Sequence, residues 1–355
     1  MIPNPALGVF FHWLGGLASA SFYVPYRAVK HWSWETYWLA GGVFSWIIAP
    51  WVIAYFWTHD LLAVLRAASL HDLFWPFFFG LLWGVGGLTF GLTMRYLGLS
   101  LGMAIVLGLA AAFGTLMPPL FAGEFASKVL GTASGLIILA GVAVCLLGIA
   151  VAGMAGVAKE RVMTPEEQRA VILEFELRKG IAVATLSGVM SACFAYGLAA
   201  GDPIRALTLA RGTAPLWQGL PVLVVVLVGG FATNFVWSVF LNIRNGSAHE
   251  YVAQTAGKFR VPLRNNYLLC TLAGCTWYFQ FFFYTMGETQ MGQYKFSSWT
   301  LHMASIIIFS SLWGLALKEW RGAGATAMRL LFAALVLLVL STVIVGYGNY
   351  FAERG

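Results

Sequence analysis

Along this chain apolar residues come in long blocks, not in the short alternations of a soluble sheet or the one-sided stripes of a soluble helix. The blocks fall near residues 6–26, 36–57, 73–95, 98–121, 129–153, 180–200, 216–242, 264–286, 296–317 and 325–348, with polar connections between them. A helix rises about 1.5 Å per residue and the hydrocarbon core of a bilayer is about 30 Å thick, so each block is long enough to cross it once. The pattern predicts an all-α polytopic membrane protein with ten transmembrane helices. The first block lacks a basic stretch before it and a small-residue cleavage site, so Pro5 to Tyr26 is expected to remain as the first span.

Composition agrees. Of 355 residues, 60% are hydrophobic and 10% charged, whereas charged residues make up about a quarter of an ordinary globular domain. The net charge of +7 does not imply a nucleic acid partner, because its placement has a simpler cause. Fifteen of the 21 Lys and Arg residues lie in connections after the odd-numbered blocks, among them Arg27, Lys30, Arg95, Arg178, Arg244 and Arg321. The remaining six are Arg66, Lys128, Arg205, Arg211, Lys295 and Arg354. Basic residues are retained in the cytoplasm during insertion, so both termini are expected on the periplasmic side.

The longest charged stretch, Lys159 to Lys179, divides the ten blocks into two sets of five. The expected division is a first five-helix repeat over 1–157, a cytoplasmic linker over 158–179 and a second repeat over 180–355. Within the linker, Thr164-Pro165-Glu166-Glu167 has a capping hydroxyl, a proline at N1 and acids in the first turn, which fits a short surface helix as well as a plain solvated linker. The halves carry traces of a common pattern. Leu14-Gly15-Gly16-Leu17-Ala18-Ser19-Ala20-Ser21-Phe22 matches Leu186-Ser187-Gly188-Val189-Met190-Ser191-Ala192-Cys193-Phe194 at five of nine positions. Gly80, Trp83 and Gly98 likewise match Gly274, Trp277 and Gly292 at a constant offset. Five is odd, so the second copy would insert upside down, as in the inverted repeats of many secondary transporters.

No catalytic arrangement is present: no Walker loop, no paired carboxylates within a span, no His-Glu-x-x-His and no nucleophile elbow. Cys145, Cys193, Cys270 and Cys275 sit in apolar runs without metal-ligand spacing and read as small core residues. Neither a cofactor nor a metal is expected. The chemistry gathers in the eighth block, where Trp277, Gln280, Tyr284 and Glu288 follow at i, i+3, i+7 and i+11 and share one helical face. An amide in hydrocarbon needs partners, so that face should look toward other helices or a cavity. His12 and His302 lie about six residues into the first and ninth blocks, at matching depth, and an ionisable group within a span is a functional candidate. A neutral histidine bonded to a neighbouring carbonyl is the other reading. Trp83, Trp277 and Trp299 lie deeper than the belt of interfacial tryptophans or beside the polar stripe. Flat ring faces stack on the C–H face of a sugar while amides and imidazoles bond its hydroxyls, so the set suits a neutral polyol; core packing explains any one of them equally. Glu35 and Arg95, at the inner ends of the second and third blocks, are candidates for a cytoplasmic gate or for interfacial anchors.

Several stretches together resemble the bacterial L-rhamnose–proton symporters of the drug/metabolite transporter superfamily: Phe11-His12-Trp13, Trp32-Ser33-Trp34-Glu35-Thr36, Gly91-Leu92-Thr93-Met94-Arg95-Tyr96-Leu97-Gly98, Trp277-Tyr278-Phe279-Gln280-Phe281-Phe282-Phe283-Tyr284, Ser298-Trp299-Thr300-Leu301-His302-Met303 and Leu317-Lys318-Glu319-Trp320. The resemblance implies two inverted five-helix repeats in the inner membrane and inward transport of L-rhamnose, or a close deoxy sugar, with a proton. It places His12, Trp83, Trp277, Gln280, Tyr284, Trp299 and His302 near the central cavity; the expected roles, read from the residues, are sugar binding for His12, Trp83, Trp277, Gln280, Tyr284 and Trp299, proton coupling for His302 or His12, and an inner gate for Glu35 with Arg95. The expected partners are the sugar, the proton and the lipid bilayer, with no nucleic acid. Two rivals remain: an exporter of amino acids or other small metabolites on the same fold, and a non-transporting membrane scaffold or sensor.

Overall fold

The computed structural model describes residues 2–162 and 176–354. Thr164-Pro165-Glu166-Glu167 lies outside the described residues, as does most of the expected linker. Among the described residues the long helices are α1 Pro5–Tyr26, α2 Trp34–Trp57, α3 Leu70–Leu97, α4 Leu99–Phe121, α5 Ala133–Glu160, α6 Leu177–Ala200, α7 Leu220–Asn245, α8 Leu263–Glu288, α9 Ser298–Ala316 and α10 Gly324–Arg354. Among the described residues nine helical segments are both long and apolar enough to cross a membrane. The chain is an all-α polytopic membrane protein. Helix α8 is long enough, at 26 residues, but its amides, hydroxyls and rings keep it out of the nine. The same residues that mark it chemically dilute its apolar character.

Local sequence explains the helix ends. Gly98, at φ +77°, is the single residue between α3 and α4, a left-handed break that costs glycine little. The Thr132 hydroxyl accepts the Gly135 N–H at 2.9 Å and caps α5. Helix α2 loosens into a π-helical stretch over Val43–Ile48 that turns Ser45 and Trp46 inward. Helix α5 runs about two turns past its expected end near 153, because Gly153-Met154-Ala155-Gly156-Val157-Ala158 holds no proline to stop it. The polar connections also hold short helices at Leu61–Ala67 and Asp202–Ala210, and a two-stranded hairpin pairing Thr255–Ala256 with Phe259–Arg260. That hairpin is the one departure from all-helical structure among the described residues.

The chain forms two compact units. One comprises Met1–Leu17, Val85–Tyr196 and Phe283–Gly355; the other comprises Ala18–Gly84 and Gly197–Phe282. In the first, α5 and α10 lie against each other along their lengths, burying Ile138, Val142, Leu338 and Val345. Helix α9 crosses α4, where the Trp299 indole N–H donates to the Ala110 carbonyl at 2.9 Å and the Thr115 and Thr300 hydroxyls meet at 2.8 Å. In the second unit, α7 packs against α2 and against the first half of α3. A Cβ on Gly80 would strike the Val226 carbonyl, and one on Gly229 would strike that of Phe77. Two backbones in such close approach gain dispersion energy that lipid cannot supply, which is how helices associate in hydrocarbon. The Trp38 indole donates to Asn234 Oδ1 at 3.1 Å in the same unit.

Candidate functional site

In the first unit, three helices bring ionisable and aromatic side chains together: α1 with His12, the last turns of α8 with Tyr284, and α9 with Trp299 and His302. The α9 segment Ser298–Ser305 is buried residue by residue, so its polar side chains have nowhere to go but into the protein. The Tyr284 ring stands edge-on to both imidazoles, with centroids 5.3 Å from His12 and 5.3 Å from His302. Trp299 closes the group at 5.9 Å from Tyr284 and 6.1 Å from His302, with Phe194 stacked on its far side at 5.9 Å.

Two small residues set this geometry. Gly287 lies against the His12 ring, and a Cβ there would press on Nε2 and Cε1. Ser305 Oγ lies 2.9 Å from the His12 carbonyl and 2.8 Å from the His302 carbonyl, so one hydroxyl proton ties α1 to α9 beside both histidines. His12 is fully buried, and neither of its ring nitrogens has a hydrogen-bond partner among the described residues. Leaving a buried polar group unpaired costs about 1–3 kcal/mol, so these nitrogens are groups that a ligand or an ordered water would satisfy.

In the second unit, Trp83 and Trp277 face each other at 5.6 Å with ring planes 33° apart. Phe281 stands edge-on to both, at 5.6 Å and 5.1 Å, and Trp46 edge-on to Trp277 at 5.3 Å. The gap bounded by Trp277, Trp46, Trp38 and Tyr26 measures about 10 Å3, room for roughly one water. Gln280 is buried and its Nε2 has no partner; the Tyr278 hydroxyl, wholly buried, has none either among the described residues.

Glu35, also in the second unit, is 4% exposed and is held by neutral donors. Its Oε1 accepts from Asn245 Nδ2 at 2.9 Å and from Ser247 Oγ at 2.7 Å. Its place in the first turn of α2 puts the carboxylate at the positive end of the helix dipole. Glu35 thus fastens the start of α2 to the end of α7, with Ser33 making a parallel tie by donating its N–H and hydroxyl to Glu250, each at 2.7 Å. Arg95 belongs to the first unit, exposed in the last turn of α3.

Periodicity along one helix found Trp277, Gln280 and Tyr284, and it would also have found Ser305, three residues beyond His302. It could not find Thr115 with Thr300, or Asn245 and Ser247 beneath Glu35, because each pair joins residues far apart in the chain.

The family model described as L-rhamnose-proton symport protein matches residues 1–350 of this chain. A protein of Cronobacter sakazakii named L-rhamnose-proton symporter is 39% identical over 344 residues, covering 96% of this chain and 97% of its own. Proteins of the same name from Klebsiella pneumoniae and Escherichia coli are 38% and 37% identical over the same span.

Proposed function

We propose, from the premise that this chain belongs to the L-rhamnose-proton symport protein family, that it carries L-rhamnose, or a closely related deoxy sugar, into the cell together with a proton. The family is one of transporters, not enzymes, and the apolar helices suit that work. Ten spans in two inverted five-helix repeats, divided near 157 and 180, in an inner membrane with both termini periplasmic, complete the reading. Its support is the count of basic residues and the short matches between halves.

The site reading rests on one observation above the rest: among the described residues, buried His12 has no hydrogen-bond partner for either ring nitrogen, beside Tyr284 and His302. A sugar offers hydroxyls that donate and accept, which is what an imidazole and a phenol require. His12, Tyr284 and Gln280 bond those hydroxyls, and Trp83, Trp277 or Trp299 offers a ring face. His302 or His12 takes the proton. A neutral imidazole has one donor and one acceptor, whereas an imidazolium has two donors. Protonation therefore changes which sugar oxygens the site holds, and by reciprocity the bound sugar changes proton affinity. Glu35 and Arg95 act at the inner mouth.

The test is external pH in a lightly buffered suspension of de-energised cells making this protein. L-rhamnose should alkalinise the medium and D-glucose should not. No pH change with L-rhamnose or other deoxy sugars, with the folded protein in the membrane, would overturn the coupling. The exporter and scaffold readings are not favoured by the family.

A further inference from the structure

A cavity of about 860 Å3 opens in the first unit, away from the histidines, among α4, α5, α6 and the start of α10. Its floor is made of small residues. Ala104 of α4 and Gly153 of α5 touch closely enough that a Cβ on Gly153 would meet the Ala104 methyl, while Gly108 leaves the floor open, its nearest neighbour for an added Cβ being Ile149 at 3.9 Å. The remaining lining is aliphatic apart from two hydroxyl side chains, Thr185 and Thr326, and one charged side chain, Arg161.

The extent of the groove is informative. On α5 it runs from Leu146, the fourteenth of 28 helical residues, to Arg161 just beyond the helix end. Fifteen residues at 1.5 Å give about 22 Å, and half of a 40–45 Å bilayer is about the same. On α4 the lining stops near mid-helix at Leu109, and on α10 it uses only the first turns, at Thr326 and Leu330. The groove therefore covers one leaflet from interface to midplane. Arg161 is exposed and forms no ion pair among the described residues. A sugar in this groove would leave most of its hydroxyls unpaired against aliphatic walls.

The geometry points to a binding site for one anionic phospholipid, its acyl chain along α4 and α5 and its phosphate on the Arg161 guanidinium. Basic pockets at the membrane surface between spans recognise such headgroups, and a basic residue near the surface contributes about 1 kcal/mol, roughly fivefold in affinity. The site is independent of the transport reading.

Native mass spectrometry of the purified full-length protein tests it, using phosphatidylglycerol and phosphatidylcholine with matched chains. The protein should hold one phosphatidylglycerol under activation that strips phosphatidylcholine. Arg161→Gln, a surface change that leaves the fold alone, should cut phosphatidylglycerol retention about fivefold and leave phosphatidylcholine unchanged. Gly108→Leu, which fills the groove from a position where an added Cβ meets only Ile149 at 3.9 Å, should weaken both, and excess inorganic phosphate should displace neither. Equal retention of the two lipids, indifference to Arg161→Gln, displacement by phosphate, or a dimer that Gly108→Leu dissociates would each overturn the proposal, the last by making the groove a contact between copies.

Discussion

Ser305 on α9 donates its hydroxyl to the main-chain carbonyl of His12 on α1 across 2.9 Å, so the position of one histidine is set by a residue one turn from the other. Ser305→Ala should cost about 1 kcal/mol of stability, the net worth of such a bond. Gly16→Ala should cost more, about 1–3 kcal/mol, because the new methyl would run into the Ser305 side chain and backbone. Thermal unfolding of the purified variants in detergent ranks the two, and the reverse order would contradict the close approach of α1 and α9.

Replacing either histidine separates binding from coupling. His302→Gln should retain L-rhamnose binding and downhill exchange while uphill accumulation falls to the level of cells lacking the protein. His12→Gln should weaken binding itself, since His12 carries the unpartnered nitrogens. Accumulation that survives His302→Gln would move the proton role to His12 or elsewhere.

Tyr284 contributes a ring and a hydroxyl, and two substitutions part them. Tyr284→Phe keeps the edge-on contacts with both imidazoles and should raise the L-rhamnose dissociation constant about five- to tenfold, equivalent to about 1–1.4 kcal/mol. Tyr284→Ala removes the ring that stands between the histidines and should abolish binding. Equal affinities for Tyr284→Phe and the unaltered protein would take the phenol off the sugar.

Glu35 should tolerate amidation better than deletion. In Glu35→Gln the side-chain oxygen still accepts from Asn245 and Ser247, so the tie between α2 and α7 persists and stability should change by under about 1 kcal/mol. Glu35→Ala leaves both donors facing a void and should cost about 1–3 kcal/mol. Thermal unfolding reads the difference, and a large loss in Glu35→Gln would mean the negative charge itself is needed.

Much was legible along the chain because bilayer crossing imposes a local rule. A run of about twenty apolar residues must become a helix to satisfy its own backbone. Hence nine of the ten blocks lie in helical segments long and apolar enough to cross a membrane among the described residues, with Gly98 marking the break between α3 and α4. The 3.6-residue period placed Trp277, Gln280 and Tyr284 on one face, and the rarity of ionisable groups within spans singled out His12 and His302. What the chain order could not hold was which faces meet. That His12, Tyr284, Trp299 and His302 converge, that Glu35 is bound by an amide at the end of α7 and a hydroxyl just beyond it, and that small residues on α4 and α5 leave a groove all depend on helix crossings. Those crossings are set by backbone approach at single residues such as Gly80, Gly229 and Gly287, and a crossing joins positions hundreds of residues apart, where no local period reaches.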